Sequence, residues 1–425
     1  MPSLLLCAPS AYTGGGVEEW LWSLARGLGG RGWKIQVALA EGRRHHAPAR
    51  YLSRYPYADV CRMHAPLGLQ EERFLAVTRV LREMKPDIVM PVQLADVLYA
   101  AAWLKRRRGR AAPRVATCLH GQFGDVLADL AVCGGDVDLA ASVSRQGLGA
   151  LDARCNLRAP VAVHIPAGVP APVASRPHDR DVLHLGYVGR LEQSEKRIRD
   201  LPLLVAALQD CRGLQFHVAG SGPEEPFLRE VLAAAAADGR VVFHGELSRE
   251  ELYRSVYPLL DGLLVFSAAE GGPLAAWEAM VHGAVPVVSD FAGRREEGVL
   301  RADENCLVFP VGDIAAAAAG VRRLLDPELR RALAAAARRL PTAYAEEEFA
   351  DRWDRELRAM LERPARMGAD PLPRMVSPGR LAVPFSAPMS YALRRAFGRT
   401  PVPPGPGEEW PHAYAGRPGR GGPGP

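Results

Sequence analysis

Short apolar runs alternate with longer segments whose apolar positions recur three and four residues apart, almost from one end of the chain to the other. The short runs predict strands at 3–9, 34–41, 87–93, 114–121, 139–144 and 161–167, with helices between them at 17–30, 71–83 and 96–108. The pattern then repeats. Strands are expected at 182–189, 214–220, 241–245, 262–268, 285–290 and 306–310, and helices at 202–211, 224–237, 250–257, 273–282, 314–325 and 327–340. Strands that alternate with helices are the mark of βαβ units, in which a parallel sheet is covered on both faces. The stretch 170–180, PAPVASRPHDR, breaks the pattern and is rich in proline, so it reads as a domain boundary. The expectation is an α/β protein of two doubly wound, Rossmann-like parallel-sheet domains, 1–172 and 173–345, facing each other across a cleft. One more amphipathic helix, 346–362, follows them.

The remainder, 364–425, carries 14 of the chain's 36 prolines and ends in GRPGRGGPGP. Such a composition cannot bury enough apolar surface to fold alone, so a mostly disordered tail is expected, with 390–397 (SYALRRAF) the one helical candidate. At 425 residues the whole chain suits two domains plus this tail. Its 53 basic and 48 acidic residues give a net charge of +5, too weak a bias for a nucleic-acid binder. Seven scattered cysteines without a CxxC pair suggest buried thiols in a reducing compartment, not a disulfide framework or a zinc site. The opening MPSLLLCAPS lacks a basic leader, and no apolar run approaches the ~20 residues of a membrane span. A cytoplasmic protein is expected, with peripheral contact at the inner face of a membrane as an option.

Candidate chemistry gathers where strands end. In Gly262–Asp290, GLLVFSAAEGGPLAAWEAMVHGAVPVVSD, a strand is followed by Glu270, Gly271 and Gly272, then Pro273 opens a helix that carries Glu278. A helix start has unpaired N–H groups and partial positive charge, and so favours phosphate. A carboxylate at the strand end can bind ligand hydroxyls or stabilise positive charge on a reacting carbon. In LGYVGRLEQSEKRIRDL, Arg190 and Lys196 follow another strand and could clamp a diphosphate. Gly14, Gly15 and Gly16 follow the first strand and permit close backbone approach, although GxGxxG and GxxxxGK[ST] are both absent. His120 ends a strand in ATCLHGQFGD, and turns at Gly220 (VAGSGPEE) and Gly245–Glu246–Leu247 could flank a flat base. Each feature alone also suits an ordinary surface turn or a structural residue. Together they fit one cleft that holds a diphosphate, several hydroxyls and a base.

In combination these segments resemble the family-4 retaining glycosyltransferases of the GT-B fold, from Leu4 to about Leu361. The residues that carry the resemblance are EGGPLAAWEAM with HGAVPVV, GRLEQSEKRIRDL, VAGSGPEE, FHGELSREELY and GGG-VEEWLWSLARGL. The resemblance implies a GT-B architecture and a nucleoside diphosphate sugar as donor, a substrate and not a cofactor. Arg190, Lys196, Gly16, Leu274 and Ala275 would then contact the donor diphosphate. Glu270 and His120 would act beside the transferred sugar, Gly271, Gly272 and Glu278 would face sugar and ribose, and Gly220 and Leu247 would lie at the base. No metal is implied. The helix 346–363 would cross back to the first domain. The acceptor would be a glycan, a lipid or a small molecule, and the protein a monomer or weak dimer. Gly272–Pro273 stands where the family often has Phe-Gly, and Pro166–Ala167–Gly168 where it often has Pro-Asn-Gly, so the sugar is not implied.

Three rivals remain at this level. Asp136–Val137–Asp138 has the Asp-x-Asp form that holds a metal on a sugar diphosphate, or else forms a turn. A nucleotide-sugar epimerase, or a phosphorylase, could share the fold. A binding protein could have kept the cleft and lost transfer. The basic runs 105–110 (KRRRGR) and 43–46 (RRHH) could touch an anionic membrane, or could be solvated helix and loop ends.

Overall fold

The computed structural model describes residues 1–121, 124–172, 182–368, 387–398 and 405–414. Two all-parallel sheets organise it. The first has the order β3-β2-β1-β4-β5-β6-β7, from β1 (Ser3–Ala8), β2 (Lys34–Glu41), β3 (Val60–His64), β4 (Ile88–Pro91), β5 (Arg114–Leu119), β6 (Leu139–Ser142) and β7 (Ala162–His164). The second has the order β10-β9-β8-β11-β12-β13, from β8 (Leu183–Val188), β9 (Leu214–Ala219), β10 (Val241–Gly245), β11 (Gly262–Val265), β12 (Val285–Ser289) and β13 (Leu307–Phe309). Both follow the doubly wound order, in which the direction of winding reverses between the first and fourth strands. The reversal lies between β1 and β4 in the first lobe and between β8 and β11 in the second. At such a point neighbouring strand ends are followed by loops that part to opposite faces, and ligands bind in the crevice outside them.

The strands are near-continuous apolar runs because helices cover both faces. Leu4, Leu5 and Leu6 are all fully buried, on alternate sides of the first sheet. All twelve strands expected from the pattern form, trimmed by a residue or two at most ends. β3 went unpredicted: its sequence, VCRMH, buries only Met63, because it pairs at the sheet edge with β2 alone. The helix expected over 224–237 is two pieces, Glu225–Val231 and Ala233–Ala237, and 250–257 becomes a helical turn followed by a wider π turn.

The Glu346–Glu362 helix returns from the second lobe to the first. Phe349, Trp353, Leu357 and Met360 are fully buried there against Leu4, Leu6 and Trp20. Its approach to the Gly16–Gly29 helix is close enough that a Cβ on Gly27 would sit 2.6 Å from the Ala350 Cβ. The boundary proposed at 170–180 lies mostly outside the described residues.

Two charged motifs turn out to be internal supports. Asp136 and Asp138 are 1% and 2% exposed. Asp138 takes Lys105 Nζ at 2.5 Å and Arg114 Nε at 2.9 Å, and Asp136 takes Arg106 at 2.9 Å. They precede β6, at the end of the sheet opposite the ligand-binding edge, and residues 134–136 form a 3-10 turn, so the turn reading of this Asp-x-Asp holds. Lys105 and Arg106 are thereby withdrawn from the basic run 105–110.

Of the tail, Ala387–Ala396 is helical, overlapping the candidate at 390–397, and Arg394 pairs with Glu71. Residues 405–414 pack against the first lobe, with Trp410 fully buried. Residues 364–368 are held as well, with Arg366 N donating to Asp138 and Gly368 N to Asp136, both at 2.9 Å, against the expectation of disorder there; the remainder of the tail falls outside the described residues.

Candidate active site

Arg190 follows β8 and Glu270 follows β11, so the two flank the winding reversal of the second sheet. The loop after β8 folds back on itself because the Glu192 carboxylate accepts the backbone N–H groups of Glu195 at 3.1 Å and Lys196 at 3.0 Å. Burial would raise the Glu192 pKa, but these donors and the Ser194 hydroxyl hold it below the usual carboxylate range. The fold-back aims Lys196 across the crevice, where its Nζ lies 2.6 Å from Glu270 Oε1. Ser267 Oγ donates to the same oxygen at 2.6 Å. Arg190 is half exposed and, among the described residues, keeps only a long 3.5 Å contact with Glu195, so its guanidinium can meet an anion.

The neighbouring loops close by backbone packing. Gly220 has φ +137°, and a Cβ there would sit 1.9 Å from the Gly189 carbonyl oxygen; one on Gly222 would sit 2.3 Å from that of Leu191. Only glycine lets the loop after β9 lie directly on the loop after β8. After β11, Pro273 has no N–H and Leu274 gives its own to the Gly272 carbonyl at 2.8 Å. Ala275 is therefore the first donor of the Leu274–His282 helix not committed to its own turn.

The first lobe meets this crevice from the other side. A Cβ on Gly271 would fall 2.1 Å from the His120 carbonyl oxygen, so the Glu270 turn touches the end of β5. The His120 ring stands edge-on to Trp20 at 4.4 Å, and its buried Nε2 has no hydrogen-bond partner among the described residues. Burial pushes the imidazole pKa down to about 4, so the ring is neutral at pH 7. Gly16 starts its helix with open space where a side chain would be. Two residues on, the buried Glu18 has a pKa raised to about 7 by burial, partly countered by Arg190 and Arg54. Arg190 thus faces the glycine turn of the first lobe.

Glu278 and Leu247 both have partners within the protein. Glu278 is 4% exposed, with Oε1 2.6 Å from Arg249 Nε and Oε2 2.6 Å from the Tyr257 hydroxyl. Arg249 also donates to Ser23 Oγ and to the Gly168 carbonyl, both at 3.0 Å, and so ties the helix below the site to the first lobe. The Leu247 carbonyl accepts Arg54 at 2.9 Å. Glu246 binds the same Arg54 at 3.2 Å and Ser221 Oγ at 3.0 Å, bridging the lobes at the crevice rim. Arg249 and Arg54 were not singled out from the sequence: Arg249 sits in an ordinary helix start, SREE, and Arg54 ends a short helix with no motif around it. Gly272 packs loosely, with Val143 O 3.7 Å from a notional Cβ. A cavity of about 630 Å³ lies behind the Arg249 network, lined by Ser23, Val169, Tyr344 and Glu346 among others, and none of the residues singled out for the site lines it.

Two facing parallel-sheet lobes with a ligand crevice between their strand ends invite comparison with known proteins. The HepE protein of Anabaena, solved with UDP and glucose, superposes over 84% of this chain and all of its own with a TM-score of 0.67 at 17% identity. The fold is GT-B. The family model described as "Glycosyl transferases group 1" matches residues 183–327, which run from β8 past the Leu274–His282 helix. Among curated proteins, the lipopolysaccharide 1,6-galactosyltransferase of Escherichia coli K12 is 25% identical over 247 residues, 56% of this chain and 66% of that enzyme. The 2-deoxystreptamine N-acetyl-D-glucosaminyltransferase of Streptomyces fradiae is 37% identical over 158 residues, 36% of each chain. This chain thus spans just under two thirds of the first relative and about a third of the second. Together the matches support a glycosyltransferase of GT-B architecture. Among the described residues no helix is long and apolar enough to cross a membrane.

Proposed function

We propose that the protein transfers a sugar from a nucleoside diphosphate sugar to an acceptor hydroxyl, with retention at the anomeric carbon and without a metal ion. The observation that carries this reading is the Lys196–Glu270 pair, 2.6 Å apart at the winding reversal of the lobe that matches the glycosyltransferase model. A diphosphate placed there meets Lys196, Arg190 and the first free amide of the Leu274–His282 helix, with the Gly16 turn opposite. The bond from the anomeric carbon to the diphosphate breaks as positive charge grows on the sugar, which the Glu270 carboxylate faces. Lys196 and Arg190 stabilise the charge gathering on the departing diphosphate, an electrostatic contribution of the oxyanion-hole kind. The acceptor oxygen bonds the anomeric carbon from the same face and passes its proton to a departing phosphate oxygen. No covalent intermediate on the protein is needed. The neutral His120 offers an uncharged hydrogen-bonding edge beside the sugar. Glu278 would reach ribose hydroxyls by exchanging its contact with Arg249. UDP sugars, the donor class suggested by the nucleotide bound to HepE, are the first to test.

A donor panel read by thermal shift, followed by turnover with the best nucleotide sugar, tests the reading. NMR of the product would show the donor's anomeric configuration kept, and excess chelator would leave the rate unchanged. An inverted product removes retention, and a rate abolished by chelator removes metal independence. Conversion of the donor sugar into its epimer without any acceptor would mean an epimerase.

A further inference from the structure

The winding reversal of the first sheet, between β1 and β4, is the other place where this fold binds ligands, and it is covered by the chain's own C-terminal segment, residues 405–414. Glu409 is 1% exposed, and its carboxylate accepts four consecutive backbone N–H groups of the loop after β2. Oε1 takes Arg43 N at 2.6 Å and Arg44 N at 2.8 Å, and Oε2 takes His45 N at 2.7 Å and His46 N at 3.1 Å. Gly42 begins the loop, and a Cβ there would fall 2.2 Å from the Glu409 carboxyl carbon. The loop is closed by Gly42 N on the His46 carbonyl at 3.1 Å. Convergent amides of this kind form a nest for an anion, and here they hold the Glu409 pKa below the carboxylate range against the effect of burial.

The rest of the segment lies along the same edge. His46 is buried, and its Nδ1 accepts Ser10 N at 3.2 Å, so its Nε2 carries the proton and donates to Pro406 O at 3.3 Å. Trp410 Nε1 donates to the carbonyl of Glu41, the last residue of β2, at 3.3 Å. Beyond β4, Ala95 N donates to Pro411 O at 3.1 Å, and His412 contacts the Gln93 carbonyl at 2.8 Å. Gln93 holds φ +50°, a conformation glycine would adopt more easily, at the point where that carbonyl is presented. Tyr12, in the loop after β1, stacks on His412 at 6.5 Å. The segment therefore spans the ends of β2, β1 and β4. It is anchored by hydrogen bonds to backbone, by the Trp410 indole, and by Tyr414, whose N–H donates to Asp129 at 2.7 Å and whose hydroxyl donates to Asp96 and accepts Arg73 at 3.2 Å.

Resting on the glycosyltransferase reading above, we propose that residues 405–414 are an intramolecular occupant of the acceptor site, and that the Gly42–His46 amide nest is its anion subsite. In that subsite Glu409 stands in for a carboxylate or phosphate carried by the acceptor. One carboxylate fills all four donors, while the exposed Arg43 and Arg44 side chains have no ion-pair partner among the described residues. An incoming anion would exchange with Glu409 and keep the same four hydrogen bonds.

Full-length wild type, Glu409→Ala and Glu409→Gln would be compared by thermal unfolding in inorganic phosphate, in acetate, and in chloride of equal ionic strength. The expected result is that phosphate or acetate raises the Tm of Glu409→Ala above its chloride value by about 2–4 °C more than for wild type, whose nest is already filled. A larger response to acetate assigns a carboxylate acceptor, and a larger response to phosphate a phosphorylated one. Equal responses of wild type and variant overturn the subsite. If Glu409→Ala does not fold, Glu409→Gln, which keeps the volume and one acceptor oxygen, is read in its place. Failure of both to fold makes the segment an obligate part of the core and also overturns the proposal. Nucleotide-sugar turnover measured in parallel separates the two readings. An anion response without turnover removes the transferase and leaves the subsite, and turnover without an anion response does the reverse.

Discussion

Lys196 Nζ and Glu270 Oε1 lie 2.6 Å apart, although 74 residues separate them in the chain. One comes from the loop after β8 and the other from the loop after β11, strands that neighbour each other in the sheet only because the winding reverses there. The pair holds opposite charges ready at the position where, in the proposed reaction, a sugar–diphosphate bond would separate charge of both signs.

Replacing either member should abolish chemistry and spare the fold. Glu270→Ala and Lys196→Ala should each lower kcat by on the order of 10²–10³-fold, the usual cost of one preorganised electrostatic group. Transfer assays with circular dichroism check this. Turnover near wild type in a folded Glu270→Ala would end the assignment of the site.

Gly220→Ala should weaken the second lobe without touching a side-chain contact. Its φ of +137° and the 1.9 Å approach of the Gly189 carbonyl leave no room for a methyl. The expected loss is about 1–3 kcal/mol in urea unfolding, because backbone must move to admit the new group. Gly16→Ala meets open space, so its stability should change far less.

Arg249→Ala leaves the Glu278 carboxylate buried beside Tyr257 without its cation. Removing one partner of a buried pair costs about 3–5 kcal/mol, so a pronounced fall in thermal stability is expected. Arg249→Lys should recover only part of it, since one ammonium cannot reach Glu278, Ser23 and the Gly168 carbonyl together.

Mild acid should draw on the stability contributed by two buried histidines. Burial depresses His120 and His217 to about 4, against about 6.5 in an unfolded chain. Between those values the unfolded state binds more protons, so the stability these residues contribute is whole above pH 6.5 and drains away as pH falls toward 4. Glu18, raised to about 7, acts in the opposite direction: its contribution is present below pH 4.5 and is lost as pH rises through 7. Urea unfolding at pH 5 and pH 8 should show Glu18→Gln stabilised relative to wild type at the higher pH. An unchanged difference between the two pH values would mean that Glu18 is ordinarily ionised.

The alternation of apolar runs and amphipathic segments determined the two parallel sheets, because strands covered on both faces must be apolar throughout and the crossovers between them must be long. It also placed Arg190, Glu270 and the Gly16 turn after strands, since a turn that follows a buried run has to emerge at the sheet edge. What periodicity cannot encode is which distant loops meet. The capture of Glu278 by Arg249, the use of Lys105, Arg106 and Arg114 to neutralise Asp136 and Asp138, and the capture of Glu409 by the amides of residues 43–46 all join positions 24 to 366 residues apart. Such contacts depend on three-dimensional proximity and on backbone groups that every residue possesses, and neither leaves a mark on local sequence. A polar tail rich in proline looks unable to fold because it has no core of its own. Only the tertiary structure supplied the pocket for Trp410 and the four amides for Glu409 that hold part of it in place.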